Sequence, residues 1–125
     1  MKSPIFIVLL LLLCGCKVNQ FTGKKTLNLY GNKQLFPMAF REYDTFLSEN
    51  KVIQGTKESE QIQQIGVKIA AAAQHYFDYK GMPDYLKDYS WAFNLVEDES
   101  VNAWCMPGGK IVFYTGILPI AAIIA

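Results

Sequence analysis

The sequence predicts a small α+β domain, in which two helices pack on a small antiparallel sheet of about three strands. Two segments with apolar residues spaced three and four apart predict the helices. Three later segments that are short and extended, two of them with clear alternation, predict the strands. The length of 125 residues allows one domain of ordinary size, and 51% apolar residues exclude intrinsic disorder.

The first fifteen residues predict a lipoprotein signal peptide. Lys2 gives a positively charged start, and the run from Ile5 to Leu13 is wholly apolar. That run is too short to span a membrane and fits the apolar core of a secretory signal. It ends in Leu13-Cys14-Gly15-Cys16, which resembles the lipobox of bacterial lipoproteins. The resemblance implies that Cys16 is the first mature residue, carries a diacylglycerol and anchors the chain to a membrane.

The anchor implies a location and simplifies the cysteine count. Residues 16–34 predict a lipidated tether with one short strand at Thr26–Tyr30. With the leader removed and Cys16 lipidated, Cys105 has no partner for an intrachain disulfide. We interpret Cys105 as a small buried apolar residue. The expected location is the cell envelope, facing the periplasm, and Lys17 directly after the anchor favours the outer membrane over the inner one.

The charge of the chain argues against a nucleic-acid partner. Without the leader, basic and acidic residues balance at eleven each. Domains that bind nucleic acid carry a basic patch or stripe, and no such stripe is evident in the sequence.

Two amphipathic segments define the helices. The first helix is expected from about Phe36 to Glu49, with Pro37 tolerated only in its first turn. The second is expected from about Lys57 to Phe77, with Thr56 as its N-cap. The apolar stripe of the second helix consists of Ile62, Ile65, Ile69, Ala72 or Ala73, and Tyr76. His75 is interpreted as a surface or half-buried residue, since a single His does not make a metal site.

The strands follow the second helix. They are expected at Ser90–Val96, Val101–Cys105 and Lys110–Tyr114. Glu97–Ser100 is interpreted as a solvated turn. The sharp connection at Met106–Gly109 contains Gly108 and Gly109, which are free to take positive φ.

The segment from Val101 to Leu118 resembles a stretch of metallopeptidase family forty-eight. This family includes the HtpX heat-shock protease, the CAAX prenyl endopeptidase and bacterial periplasmic lipoprotein proteases. The shared pattern is Asn-Ala-aromatic-x-x-Pro-Gly-Gly, an apolar strand and a Thr-Gly turn, with Trp104 where Phe is usual. The matching positions are Asn102, Ala103, Trp104, Pro107, Gly108, Gly109, Thr115 and Gly116. Together with the lipobox, the resemblance to the periplasmic lipoprotein branch extends over most of the mature chain.

The resemblance implies an incomplete zincin-like domain. Residues 1–15 would be the signal peptide, 16–34 the tether and 35–125 the N-terminal part of a metallopeptidase domain that stops before the zinc helix. The family binds zinc through a His-Glu-x-x-His helix and a later Glu, and the zinc activates water for peptide hydrolysis. This chain contains only His75 and has no His, Asp or Glu after Glu99. We therefore expect zinc in the full-length family member, none bound by this chain, and no activity from this chain alone.

Two functions stay open from the sequence. The chain is either the N-terminal portion of a zinc metalloendopeptidase acting on extended or unfolded envelope proteins, or a non-catalytic envelope lipoprotein that binds an extended peptide or partner at an edge strand. A small structural lipoprotein with a fortuitous motif is the third option, and it would tolerate Gly108→Val and Gly109→Val. The resemblance places the edge strand at Lys110–Tyr114. The expected substrate-side residues are Asn102, Ala103, Pro107, Gly108, Gly109, Lys110, Ile111, Val112 and Phe113.

Overall fold

A computed structural model describes residues 16–20, 22–27 and 29–121. The signal peptide predicted for residues 1–15 lies outside the described residues. The chain divides into two units, Met1–Gly31 and Asn32–Ala125. Within the described ranges, no helix is long and apolar enough to cross a membrane.

The described part of the first unit is a short hairpin. Its strands β1 (Cys16–Val18) and β2 (Lys25–Leu27) are antiparallel. The backbone N–H of Asn19 donates to the carbonyl oxygen of Lys24 at 2.8 Å and closes the turn. The short strand expected at Thr26–Tyr30 therefore forms, but it lies earlier in the chain and ends at Leu27.

The second unit combines two long helices with a four-stranded sheet, which confirms the predicted α+β class. Its elements in chain order are α1 (Asn32–Glu49), β3 (Val52–Ile53), α2 (Lys57–Tyr79), β4 (Ala92–Val96), β5 (Ala103–Met106), β6 (Lys110–Tyr114), a 3₁₀ turn (Thr115–Ile117) and α3 (Leu118–Ala121).

The sheet differs from the predicted antiparallel arrangement in two respects. Its strand order is β3-β4-β6-β5, so a fourth strand is present. The pairs β3–β4 and β5–β6 are antiparallel, but β4 and β6 are parallel, with Ala92 opposite Lys110. Alternation along one strand predicts that a strand forms, not which neighbour it pairs with. A two-residue strand such as β3 is too short to show any alternation.

α1 begins four residues earlier than predicted. Pro37 consequently lies inside the helix, in its second turn, and not in the first turn as expected. A proline there lacks the N–H that would bond to the carbonyl of Lys33, so one helical hydrogen bond is lost. The helix continues because its inner face is strongly buried through Phe36, Ala39 and Tyr43.

α2 begins with the predicted cap. The Thr56 hydroxyl oxygen accepts from the Ser59 N–H at 3.2 Å, and the Ser59 hydroxyl oxygen accepts from the Thr56 N–H at 3.1 Å. This reciprocal pair is a capping box, and Glu58 and Glu60 in the first turn add favourable charge at the N-terminus.

The buried side of α2 is not the predicted apolar stripe. The buried residues are Ser59, Gly66 and Phe77. Gly66 touches the Phe93 ring so closely that any added Cβ would overlap it. Periodicity selected the large apolar residues, whereas the close approach of α2 to Phe93 leaves room only for a glycine at position 66. The stripe residues Ile65, Ile69 and Tyr76 are therefore 49%, 55% and 38% exposed.

The sheet has two apolar faces. On the α1 face, Tyr43 packs with Val96 and Val112, all nearly or fully buried. On the α2 face, Phe93 and Leu95 are buried. Residues paired across neighbouring strands point to the same side of a sheet. The pairing register therefore places Phe93, Leu95, Ile111, Phe113, Ala103 and Cys105 together on the α2 face.

Candidate functional site

The Pro-Gly-Gly turn between β5 and β6 requires both of its glycines. Gly108 and Gly109 have φ of 87° and 86°, as the sequence predicted. A Cβ at Gly108 would lie 2.5 Å from the Phe40 ring, and one at Gly109 would lie 2.7 Å from the Trp91 ring. Backbone conformation and lack of space therefore both exclude a larger residue.

The same turn is bonded to the segment that begins β4. The backbone N–H of Ser90 donates to the Gly108 carbonyl at 2.9 Å, and that of Ala92 donates to the Gly109 carbonyl at 3.0 Å. Lys110 follows the turn, and its Nζ donates to the Ser90 hydroxyl at 3.0 Å. These bonds fix where β6 starts relative to β4.

The Thr-Gly pair after β6 holds the turn at Glu97–Ser100. The Thr115 hydroxyl donates to the Asp98 carbonyl at 2.9 Å and accepts from the Asp98 N–H at 3.1 Å. The Gly116 N–H donates to the same carbonyl at 2.8 Å, and a Cβ at Gly116 would overlap the Glu99 carbonyl. Hydrogen bonds from Ser100 lower the pKa of the Asp98 carboxyl. The turn is thus anchored at Asp98, although Glu97 and Glu99 are solvated as expected.

The aromatic position of the motif supports the α1 face. The Trp104 Nε1–H donates to the Tyr114 hydroxyl at 3.0 Å, and the Trp104 ring meets the Phe46 ring edge-on with centroids 4.8 Å apart. A large aromatic residue fits this position because β5 would otherwise leave the outer part of the α1 face uncovered.

The prediction that Lys110–Tyr114 is an edge strand was wrong. β6 lies between β4 and β5, so both of its edges are paired. Lys110 is buried, with its Nζ 4.6 Å from the centroid of the Phe40 ring, and Val112 is fully buried. Neither side chain is available to a peptide. The prediction failed because the Pro-Gly-Gly turn folds β5 onto the outer side of β6.

The outer strands of the sheet are β3 and β5, and β5 is the one that the motif forms. The Tyr114 N–H donates to the Asn102 carbonyl at 3.1 Å, so these two residues form a hydrogen-bonded pair. Hydrogen-bonded and non-hydrogen-bonded pairs alternate along antiparallel strands. The backbone N–H and C=O groups of Ala103 and Cys105 therefore point away from β6, towards the free edge.

Sequence reasoning identified Ala103 but missed Cys105. Cys105 is exposed, so its interpretation as a buried apolar residue was wrong. The signal that could have found it is its place two residues after Ala103 on the same strand, which gives both residues the same orientation.

Gln63 shows which flank of α2 faces β5. The Ala92 N–H bonds towards β6, so the backbone groups of the next residue, Phe93, point towards β3. Gln63 Nε2 donates to the Phe93 carbonyl and therefore lies on the β3 flank of α2. Ile65 and Ile69 lie on the opposite flank of the helix, which faces β6 and β5.

An apolar surface is consequently uncovered between α2 and the edge of the sheet. Burial on the α2 face decreases from Phe93 and Leu95, through half-buried Ile111 and Phe113, to exposed Cys105. The stripe on α2 borders the same region. We call this surface the open face. It consists of Ile62, Ile65, Ile69, Ala72 and Tyr76 of α2 with Ala103, Cys105, Ile111 and Phe113 of the sheet.

The described ranges contain no group of three or more His, Cys, Asp or Glu residues close enough to hold a metal ion. His75 is exposed on α2. The residues present in this part of the chain therefore do not fit a catalytic zinc site.

Comparison with known proteins gives one distant similarity. No protein-family model matches the chain, and no solved structure matches it. The chain is 22% identical over 102 residues to the mitochondrial metalloendopeptidase OMA1 of Bos taurus. The aligned part covers 82% of this chain and 19% of that protein, so the chain spans about a fifth of the relative's length. The similarity is thus a distant one to a metallopeptidase.

Proposed function

We propose that this chain is the N-terminal part of a membrane-anchored zinc metalloendopeptidase that acts on cell-envelope proteins. One observation carries the proposal: the motif that resembles zinc metallopeptidases forms a free edge strand beside an uncovered apolar face. The distant similarity to a metalloendopeptidase supports it.

In this proposal β5 binds the substrate. An extended polypeptide pairs with the free edge through the backbone groups of Ala103 and Cys105. Main-chain hydrogen bonds do not depend on the side chains of the bound polypeptide. This mode of binding therefore suits an enzyme that acts on unfolded or extended polypeptides of varied sequence. The contribution of β6 is indirect: it holds β5 in place and is itself held by the Pro-Gly-Gly turn and by Thr115.

The open face is the proposed contact for the remainder of the catalytic domain. An exposed apolar stripe bordered by a half-covered sheet is typical of a surface that another element buries. β6 and β5 are the strands beside this flank of α2, and two neighbouring strands about 5 Å apart offer roughly the width that one helix covers. We propose that a helix from a later part of the polypeptide lies here.

This chain is proposed to be inactive alone. Zinc in such an enzyme polarises the scissile carbonyl and lowers the pKa of a bound water. The chain contains only one His that could serve as a zinc ligand. The proposed anchor is a lipid on Cys16, which would hold the protein in the cell envelope facing the periplasm, with the outer membrane favoured by Lys17.

The test is to sequence the DNA beyond codon 125 and translate it in all three frames. The proposal expects a His-Glu-x-x-His segment followed by a further Glu in one frame. The chain joined to that segment should cleave casein, and a chelator or a Glu→Gln change within the motif should abolish cleavage. Absence of the motif from every frame, or chelator-sensitive cleavage by the 125-residue chain alone, would refute the proposal.

The free edge of β5 also favours a second candidate, a non-catalytic lipoprotein that binds an extended peptide. In that case this chain alone should bind unfolded polypeptide, measured by fluorescence anisotropy of a labelled casein peptide. Cys105→Pro removes an outward N–H without touching the bonds to β6, and it should abolish binding. Cys105→Ala is the matched control and should bind normally. Equal binding by both variants would exclude pairing at this edge.

A further inference from the structure

Charge is divided unequally between the two units. From Cys16 to Gly31 the chain carries three lysines and no acidic residue. Residues 32–125 carry eight basic and eleven acidic residues. The formal charge is therefore +3 for residues 16–31 and −3 for residues 32–125. The mature chain is neutral as a whole, although its first unit is basic. Charge asymmetry of this kind indicates a charged partner for one part of a chain.

The hairpin carries the three lysines on its paired strands and at its turn. Lys17 stands opposite Thr26 in the register of β1 and β2, and Lys25 stands opposite Val18. The Thr26 hydroxyl donates to the Lys17 carbonyl at 3.3 Å, and Lys24 is fixed by the turn. All three lysines are exposed. Because successive residues of a strand point to opposite faces, Lys17 projects from one face of the hairpin and Lys25 from the other, so both faces carry positive charge. The scaffold is hydrogen-bonded, so binding a surface would require little further ordering of the backbone.

Apolar side chains are exposed in the same unit as these lysines. Val18 is 49% exposed, Leu29 is 74% exposed and Tyr30 is 64% exposed. Tyr30 combines an apolar ring with a polar hydroxyl, which is the chemistry of the boundary between headgroups and acyl chains. A short unit that exposes lysines, apolar residues and a tyrosine fits a membrane surface, which is anionic at the headgroups and apolar just beneath them.

We propose that the hairpin is a membrane-binding element for anionic phospholipids. The long lysine stems let the ammonium groups of Lys17, Lys24 and Lys25 reach headgroup phosphates from both faces of the hairpin. Val18, Leu29 and Tyr30 enter the outer part of the acyl layer. The partner is a bilayer surface, since an isolated phosphate offers nothing to the apolar residues. Electrostatic attraction would add to the lipid on Cys16 as a second membrane signal. That additional role rests on the proposed anchor, whereas headgroup binding does not.

The test uses the mature chain, residues 16–125, with Cys16→Ser so that no lipid can be attached. Co-sedimentation is measured with phosphatidylcholine vesicles, with and without phosphatidylglycerol, at low and high salt. We expect binding only to the anionic vesicles and weaker binding at high salt. Lys17→Gln, Lys24→Gln and Lys25→Gln combined should weaken binding on the order of 100-fold, since each lysine near an anionic surface contributes about a factor of five.

Two further variants control for folding and for general charge. The three corresponding Lys→Arg changes keep the charge and should bind like the parent chain. Lys57→Gln, Lys68→Gln and Lys87→Gln remove the same charge from the second unit and should leave binding nearly unchanged. Equal binding to both vesicle types, no binding to either, or equal losses from the two Lys→Gln triples would overturn the inference. Because the lipid anchor is absent throughout, none of these results depends on lipidation or on the peptidase proposal.

Discussion

At the scale of single residues, replacing a glycine can cost stability in two ways, through strain of the backbone and through lack of space for a side chain. Three glycines of this chain differ in which of these costs applies. Gly81 has φ of 72°, and a Cβ added there would meet no atom within 4 Å. Gly66 has no positive φ but touches the Phe93 ring. Gly109 combines φ of 86° with the close approach of Trp91. Gly81 therefore tests backbone strain, Gly66 tests lack of space, and Gly109 tests both together.

When each glycine is replaced by Ala, we expect the loss in free energy of unfolding to increase from Gly81 to Gly66 to Gly109. Gly81→Ala should cost about 1 kcal/mol through left-handed strain. Gly66→Ala should cost about 1–3 kcal/mol through overpacking. Gly109→Ala should cost about the sum, because both penalties act there. Urea denaturation of the three variants provides the measurement. A Gly109→Ala loss no larger than that of Gly81→Ala would show that Trp91 moves aside freely.

Tyr43 makes stability depend on pH. Its hydroxyl donates to the Ile111 carbonyl and accepts from Asn94 Nδ2, each at 2.9 Å. Burial raises the pKa of Tyr43 above its ordinary value of 10.0, the Asn94 hydrogen bond opposes this, and the charge of Asp44 adds to it. The folded state thus holds the phenolic proton more tightly than the unfolded state. Stability from this group is present below pH 10.0 and is lost as the pH rises through the folded pKa.

Replacement of Tyr43 by Phe should flatten this alkaline loss. At neutral pH the variant should be less stable by about 1–3 kcal/mol, because Asn94 Nδ2 is left without its partner. Above pH 10 its stability should decline less steeply, and Tyr89, whose pKa burial also raises, contributes to the slope that remains. Urea titrations on both sides of pH 10 give the slopes. Tyr79→Phe, at an exposed ring, is the control, and equal slopes for Tyr43→Phe and the parent would contradict the assignment.

At the scale of elements, Thr115 joins the end of β6 to the turn after β4. Thr115→Val removes both hydrogen bonds to Asp98 while keeping the shape of the side chain. We expect a loss of about 1–3 kcal/mol, since the Asp98 N–H loses its partner in a part-buried position and the Asp98 carbonyl keeps only the Gly116 N–H. Thr115→Ser keeps the hydroxyl and should lose much less. Chemical denaturation compares the two, and equal losses would mean that the methyl group matters rather than the hydrogen bonds.

Elements were predictable where the signal is local. The N-cap at Thr56, the bounds of β6 and the positive φ of Gly108 all depend on a few adjacent residues. The buried side of α2 was not predictable, because it depends on contact with the Phe93 ring, which belongs to a strand distant in sequence. Apolar periodicity selected Ile65 and Ile69 because it measures hydrophobicity and not the distance between helix and sheet.

At the scale of the whole molecule, the position of the free edge could not be predicted from the sequence. The motif residues identified the correct segment, but nothing in the sequence indicates that β5 pairs with the outer side of β6. Strand order arises from the parallel pairing of β4 and β6, a contact between residues about eighteen positions apart. The candidate site therefore moved by one strand, from Lys110–Tyr114 to Ala103–Met106.

The open face gives the last prediction, because its residues contribute little to the stability of this chain. Ile65→Gln combined with Ile69→Gln should change the free energy of unfolding by no more than about 0.5 kcal/mol per site, since both side chains are about half exposed. The same variant should bind less of a dye that reports exposed apolar surface and should associate less in solution. Leu95→Gln is the buried comparison on the same face and should unfold the protein. If Ile65→Gln and Ile69→Gln together destabilised the chain by several kcal/mol, this flank of α2 would already be covered within the chain, and no additional helix could be proposed there.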